Sequence, residues 1–166
     1  MRLNRRMRAH LTDLRSRNVG AAFDPALAAR ADLEVEAAGE LVLLSRALHG
    51  PPRVMSTFGD PTSLECTANR LQMDELVDER LVASCPLLLL VVGLAVAERL
   101  ALELARFDGR FNVILSYDGD SCAVRFHRIR AGERWLHEEL EEYDEEGVLV
   151  FEAGAGVAAP RLALAG

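Results

Sequence analysis

Alternating apolar residues predict a β-hairpin over residues 110–130. Asp118-Gly119 is typical of a two-residue type I′ turn, because both central positions need a positive φ and Gly adopts it freely. The register that follows pairs Tyr117 with Asp120. It places three apolar pairs on one face: Phe111 with Phe126, Val113 with Val124, and Leu115 with Cys122. A hairpin is marginal alone, so this face must be covered by another element.

The covering element is predicted to be a long buried helix. Ser84-Cys85-Pro86 opens it, since a capping residue followed by proline suits a helix start, and residues 87–97 are apolar on every side. We therefore predict an α+β fold with an antiparallel sheet of about four strands packed on this central helix and with additional N-terminal helices. The strands are 64–68, 111–117, 122–129 and 148–152, and the helix is 86–106.

Two further helices are predicted in the N-terminal half. Asp24-Pro25 opens one that ends at Gly50, with apolar residues at helical spacing in between, so it covers residues 24–49. Residues 53–58 are predicted as a short strand, and Asp74 as the cap of a short helix.

Residues 1–17 are predicted as a basic helix with a narrow apolar stripe. They hold six arginines and one aspartate, with Leu3, Met7, Leu11 and Leu14 on one side. One interpretation is a helix docked on the acidic remainder of the chain. The other is an arm that touches RNA or a membrane surface, although no aromatic residues are interleaved with the arginines.

A run of acidic residues precedes the last strand. Leu136, Leu140 and Tyr143 lie at helical spacing, which predicts a short amphipathic helix with an acidic outer face. We predict one domain over residues 1–152, with residues 1–23 as a basic helix or arm, and a flexible Gly/Ala-rich tail over residues 153–166. The candidate partner-binding residues are Glu138, Glu139, Glu141, Glu142, Asp144, Glu145 and Glu146.

Charge narrows the class of partner. The 166-residue chain carries a net charge of −7, and since residues 1–17 contribute +5, the rest carries −12. An acidic body argues against nucleic acid, except for weak contacts through residues 1–17, and favours a basic protein partner. All 19 basic residues are arginine, a bias typical of a GC-rich bacterial genome.

The cysteines and the apolar runs bear on location. Cys66, Cys85 and Cys122 are odd in number and lie in apolar surroundings, which fits reduced thiols in a cytoplasmic protein. No apolar run follows the basic N-terminus, and the run 87–97 is too short to span a bilayer. We therefore expect no signal peptide and no membrane partner.

The sequence contains no pattern that predicts catalysis. We expect no catalytic residues, no metal and no cofactor, because the four histidines are scattered and no nucleophile stands at a fixed spacing from a base. His127 should point outward together with Arg125, close to Arg128. These three residues either form an anion or ligand site or pair with neighbouring acids.

Strand, turn, Gly-Glu-x-Trp-Leu, acidic run and strand follow one another in SYDGDSCAVRFHRIRAGERWLHEELEEYDEEGVLVFE, residues 116–152. This stretch, about a quarter of the chain, resembles small bacterial proteins of the immunity type, which are encoded beside secreted toxins. The resemblance implies a non-enzymatic protein that binds and blocks a cognate toxin. It assigns no catalytic residue.

Three hypotheses for function follow. The first is a protein-binding module of the immunity type that acts through the acidic run. The second is a structural or adaptor domain, as a homodimer formed through the predicted helix 24–49. The third is a small ligand-binding domain or enzyme that uses Arg125 and His127.

Overall fold

The computed structural model describes residues 1–22, 24–50 and 59–162. Within them lie a five-stranded antiparallel sheet and a separate two-stranded one, surrounded by helices, which confirms the predicted α+β fold. The strands are β1 (Arg2–Leu3), β2 (Val35–Ala38), β3 (Leu41–Leu44), β4 (Leu71–Gln72), β5 (Arg110–Tyr117), β6 (Cys122–Arg128) and β7 (Gly147–Gly154). The helices are α1 (Arg5–Ser16), α2 (Pro25–Ala29), α3 (Ser45–Leu48), α4 (Pro61–Ala68), α5 (Glu79–Ser84) and α6 (Leu87–Leu104).

The large sheet has the strand order β1-β7-β5-β6-β4, and the predicted hairpin β5–β6 lies at its centre. In the structure Tyr117 pairs with Cys122 instead of the predicted Asp120, so the loop is longer than predicted. The register of the hairpin therefore differs by two residues from the prediction. The side chain of Asp118 closes that loop by accepting hydrogen bonds from the backbone N–H groups of Asp120 and Ser121, at 2.9 and 2.8 Å. A shift of two residues leaves every side chain on its predicted face.

Helix α6 covers one face of the sheet, as predicted. Its apolar residues pack against the side chains that β5, β6 and β7 direct to that face, and this forms the main core. Phe111 and Phe126 meet edge to face there, with ring centroids 6.3 Å apart. The main core therefore centres on an aliphatic helix packed against a largely aliphatic sheet face.

Helix α4 packs on part of the opposite face of the sheet, called here the outer face, and the loop that follows β6 covers the rest. Cys66, Ile114, Leu140, Val148 and Val150 form a second, smaller core on this side, the outer cluster. The half-buried side chains of Trp135, Leu136 and Tyr143 pack against it. Because this cover is a loop rather than a continuous layer, it leaves clefts between itself and the strands.

The basic N-terminal segment forms helix α1, with Met7 and Leu14 buried as the apolar stripe predicts. It begins later than predicted, since Arg2–Leu3 pair with β7 as the edge strand β1. The helix lies against β7, so the prediction that the segment docks on the rest of the chain is confirmed.

The predicted helix 24–49 is wrong. Only Pro25–Ala29 is helical near its start, and Asp24 caps it by accepting from the N–H of Ala26. The strands β2 and β3 then form a hairpin in which Gly39, at φ +65°, takes the first turn position of a type II′ turn. The apolar residues at helical spacing belong to this hairpin, and the dimer proposed through a helix 24–49 loses its basis.

The predicted strand 64–68 is also wrong, because these residues belong to helix α4. Asp60 caps the helix by accepting from the N–H of Ser63 at 2.6 Å, and Pro61 occupies the first turn. Leu64 and Ala68 pack on one side and Cys66 on another, so the helix is buried on two faces. Burial on two faces produces the alternation that resembled a strand.

Helix α4 joins the two sheets through two buried side chains. Asn69 accepts from the N–H of Leu44 at 2.9 Å and donates to the carbonyls of Val42 and Phe126. Glu65 accepts from the N–H groups of Val42 and Arg128, at 2.9 and 2.7 Å. Together the two side chains satisfy backbone groups at the edges of β3 and β6 that would otherwise be buried without partners.

Glu65 also forms a buried ion pair with Arg130. Two guanidinium nitrogens approach its two carboxylate oxygens at 2.8 and 2.9 Å, with the Glu65 side chain fully buried. The pair fixes the start of the loop that covers the outer face. The neighbouring carboxylate holds the pKa of Arg130 above its usual value.

The region around Asp74 and the C-terminal segment differ in detail from the predictions. Asp74 lies in a 3-10 turn (Met73–Glu75), and the short helix that follows, α5, is capped by Asp78 instead. Strand β7 continues to Gly154, and Ala159 and Leu162 pack against the main core. The predicted strand 53–58 and residues 163–166 lie outside the described residues.

Candidate functional site

The acidic segment, residues 138–146, is not the helix that was predicted. It contains one 3-10 turn, Leu140–Glu142, between irregular stretches. Seven like charges within nine residues repel one another at helical spacing, which disfavours a helix. Leu140 is buried and Tyr143 half-buried in the outer cluster, so the segment is anchored by its apolar side chains and its carboxylates face outward.

Arginines of the N-terminal segment reach part of the acidic segment. Glu141 accepts from the backbone N–H of Arg5 and pairs with Arg8 at 3.3 Å. Arg2 and Arg6 donate to the backbone carbonyls of Glu138 and Asp144, each at 3.0 Å. The basic and acidic stretches at the two ends of the chain therefore meet inside one molecule.

The side chain of Asn4 fixes the path of the acidic segment. Its amide donates to the carbonyls of Tyr143 and Glu146, at 2.9 and 2.8 Å. Its oxygen accepts from the N–H of Met7, as the cap of α1, and from the N–H of Val148 in β7. One buried amide thus joins α1, β7 and the acidic segment.

The outward carboxylates line a groove beside the β5–β6 turn. Its volume is about 360 Å³. The lining residues are Asp118, Glu142, Tyr143, Asp144, Glu145 and Glu146. No arginine is among the described residues that line this acidic groove, so five carboxylates and one aromatic ring face the same space.

The carboxylates of the acidic groove differ in their partners. Glu142 pairs with His137 at 3.0 Å, whereas Asp144, Glu145 and Glu146 form no ion pair within the described part of the chain. Burial alone would raise the pKa of Asp118, but the hydrogen bonds from Ser121 and Asp120 outweigh it and hold the pKa below its usual value. The Asp118 carboxylate therefore stays ionised at neutral pH.

A protein-family model described as the uncharacterized protein PM0498 family matches residues 2–159. The chain belongs to the PM0498 family. No curated protein matches it, and no solved structure does. Because the family description states no activity, the resemblance of residues 116–152 to immunity-type proteins stays a prediction for this PM0498-family chain.

The three residues predicted as an anion or ligand site lie in three places. Arg125 and His127 point to the outer face as expected, but they line different clefts on either side of Trp135 and Leu136. Arg128 lies elsewhere, with its guanidinium 5.7 Å from the Phe111 ring centroid and a hydrogen bond to the carbonyl of Asp108. The structure therefore does not bring these three side chains together.

His127 lines the larger cleft, which has a volume of about 420 Å³. Its Nδ1 lies 2.9 Å from the carbonyl oxygen of Arg128, which can only accept, so Nδ1 carries the proton and Nε2 is an acceptor beside the amide of Asn112. Burial lowers the pKa of His127. A neutral imidazole whose Nε2 lone pair lies beside the Asn112 amide therefore lines this cleft.

Other features of the described residues bear on the chemistry. No group of three or more His, Cys, Asp or Glu side chains among them is placed to hold a metal ion. All three cysteines are free thiols, with Cys66 and Cys122 buried. The helices in this part of the chain are all too short or too polar to cross a membrane.

Sequence reasoning missed Asn4, Asp118 and Ser116 as site residues. Asn4 precedes an amphipathic helix and is a common capping residue, so its cap was open to prediction. Its contacts with residues more than one hundred positions away were not. The position of Ser116 in the cleft beside Arg125 likewise depends on which loop covers the outer face.

Proposed function

We propose that the chain is a non-enzymatic protein-binding module that receives a basic segment of a partner protein in the acidic groove. The observation that carries this proposal is the convergence of five carboxylates and Tyr143 on one groove. Opposite charge speeds encounter between partners, and an aromatic ring beside carboxylates suits an arginine side chain.

The finer form of the proposal is an immunity protein whose partner is a bacterial toxin in the cytoplasm. The resemblance of residues 116–152 supports it, as does the groove, since the nucleic-acid site of a nuclease toxin is basic. The free, mostly buried thiols are in keeping with a reducing compartment. The proposal requires the partner to compete with the exposed intramolecular pairs of the acidic segment, which are worth at most about 1 kcal/mol each.

The test is a pull-down from the source organism with the full chain, at low and moderate salt, followed by identification of what is retained. We expect one basic protein in stoichiometric amount, released as the salt concentration rises. Recovery of the chain alone, with a dimer in light scattering, would instead indicate a homo-oligomeric role. If the partner is a toxin, co-expression with the chain should abolish its toxicity.

A matched pair of variants shows whether the groove is the interface. Reversing Glu142, Asp144 and Glu145 to Lys should weaken binding by about tenfold or more. Reversing Glu34, Asp74 and Glu79 to Lys, which are exposed acids elsewhere, gives the same net charge and should leave binding nearly unchanged. Equal loss in both variants would show that net charge rather than the groove is recognised.

A further inference from the structure

The cleft around Arg125 differs from the rest of the surface in its charge. Arg125 stands opposite Ile114 in the β5–β6 pairing, at the centre of the outer face. Among the described residues no carboxylate oxygen lies within 4.0 Å of its guanidinium, whereas the nearby Arg130 is paired with Glu65 at 2.8 Å. Its Nε is buried and has no hydrogen-bond partner in this part of the chain.

The charges near Arg125 leave an excess of positive charge. Burial and the neighbouring Arg70 lower the pKa of Arg125, and Glu146, at the rim of the cleft, acts weakly in the opposite direction. Cys66 cannot compensate, because burial raises the pKa of its thiol to about 12 and keeps it neutral. A partly desolvated guanidinium without a counter-ion is an unusual feature that an anionic group would stabilise.

The remaining walls of the cleft are mostly apolar. Ile114 and Val148 form its floor on the sheet, and Trp135 and Leu136 lie on the covering loop. The polar residues of the lining besides Arg125 are Ser116, Tyr143 and Glu146. The volume of about 220 Å³ lies below the range of about 300–1,000 Å³ that is usual for drug-sized ligands. The cleft therefore suits a small molecule with one anionic end and one apolar body.

We propose that this cleft binds a small carboxylate ligand with a flat apolar body. The carboxylate would accept hydrogen bonds from Arg125 and from the Ser116 hydroxyl, and the body would lie against Trp135 and Leu136. A carboxylate matches the fork of donors on a guanidinium better than a spherical anion does. This inference is independent of the proposed protein-binding function, because its test uses a small molecule and needs no protein partner.

The test uses benzoate as the probe and the full chain. Trp135 is the only tryptophan and lines both this cleft and the His127 cleft, so its fluorescence reports binding in either, and the Arg125 variant distinguishes the two. At constant ionic strength we expect benzoate to change the fluorescence saturably, with half-saturation below about 10 mM. Benzamide has the same shape without the charge, and acetate has the charge without the ring. Each should bind at least about tenfold more weakly than benzoate.

Variants assign the effect to Arg125. Arg125→Gln should weaken benzoate binding about tenfold or more, whereas Arg134→Gln, which removes an exposed arginine beside Trp135, should leave it unchanged. If Arg125→Gln proves unstable, NMR of the unaltered protein replaces it. The Arg125 Nε–H resonance should then shift with benzoate and not with benzamide.

Three results would overturn the proposal. They are a fluorescence titration that stays flat to about 10 mM benzoate, equal binding of benzoate and benzamide or acetate, and equal loss in the Arg125 and Arg134 variants. Failure of this test would leave the acidic groove untouched, since the groove is tested by protein capture and charge reversal.

Discussion

Asn4 shows at the scale of one residue how this fold is held together. It is 1% exposed, and both atoms of its side-chain amide are used twice. The oxygen faces two N–H groups and the nitrogen faces two carbonyl groups. At an ordinary helix cap only the oxygen matters, so Asn and Asp are equivalent there. Here the nitrogen matters as much, because it donates to the carbonyls of Tyr143 and Glu146, and a carboxylate oxygen in its place has no hydrogen to donate.

Asn4→Asp is therefore expected to destabilise the protein although Asp is an equally good capping residue. The substitution places a carboxylate oxygen against the carbonyls of Tyr143 and Glu146 and leaves both without a donor. Buried acceptors without partners cost about 1–3 kcal/mol each, so we expect the free energy of unfolding to fall by about 2–4 kcal/mol. Urea unfolding followed by circular dichroism measures it.

The control is a substitution between the same two residue types at an exposed cap. Asp78 caps α5 by accepting from the N–H of Arg80 at 2.9 Å, and only its oxygens are used. Asp78→Asn should change the free energy of unfolding by a few tenths of a kcal/mol at most. Equal effects of the two substitutions would show that the amide nitrogen of Asn4 contributes nothing.

At the scale of elements, the packing of α6 on the sheet depends on one close approach. Gly93 lies in the middle of the helix, directly over the β5–β6 hairpin. A Cβ atom at this position would lie 2.6 Å from Sγ of Cys122 and 3.2 Å from Cδ1 of Leu115. The absence of a side chain lets the helix sit this close to the strands.

Gly93→Ala should consequently destabilise the protein, although alanine favours an exposed helix by about 1 kcal/mol over glycine. Overpacking a filled core costs about 1–3 kcal/mol. After the gain of about 1 kcal/mol in helix propensity, we expect a net loss of up to about 2 kcal/mol in urea unfolding. Adding Cys122→Ala removes the closest atom. The double variant should be more stable than the sum of the two single effects predicts, by about 1 kcal/mol, and simple additivity would contradict the proposed clash.

The elements that could be predicted are those whose surroundings are simple. Strands β5, β6 and β7 each direct an apolar face against α6, and α6 is apolar on every side over residues 87–97, so pattern and structure agree. Helix α4 is buried on two sides, so its apolar residues alternate with polar ones along the sequence, as they do in a strand. The pair Asp60-Pro61 correctly indicates the start of a helix, since the same pair of residue types, Asp24-Pro25, starts α2.

The candidate sites could be predicted only in part. The acidic run and the outward direction of Arg125 and His127 depend only on the local sequence, so both could be predicted. The partners of these side chains come from distant segments. Asn4 shapes the acidic segment from the other end of the chain, and Trp135 divides the outer face into two clefts. Periodicity holds no information on such contacts.

At the scale of the whole molecule, one buried and one half-buried histidine should make stability depend on pH. Burial lowers the pKa of His127, and burial together with Arg6 lowers the pKa of His10. His10 packs edge to face on Tyr117, at 4.8 Å between ring centroids, and its Nε2 has no hydrogen-bond partner among the described residues. Neither site favours an imidazolium, so the unfolded chain takes up these two protons more readily.

The free energy of unfolding should therefore have its full value above about pH 7. It should fall as the pH decreases through about 6.5, the ordinary pKa of histidine, toward the lower pKa values of the folded state. Urea unfolding at intervals between about pH 7.5 and pH 5.5 measures this slope, above the range in which most carboxylates titrate. His127→Gln and His10→Gln should each make the curve shallower, and the double variant should be nearly flat. His137→Gln, which removes an imidazole whose side chain is 65% exposed, controls for the substitution itself. If the double variant keeps the original slope, other groups set the pH dependence, and the assignment of neutral imidazoles to the two sites is wrong.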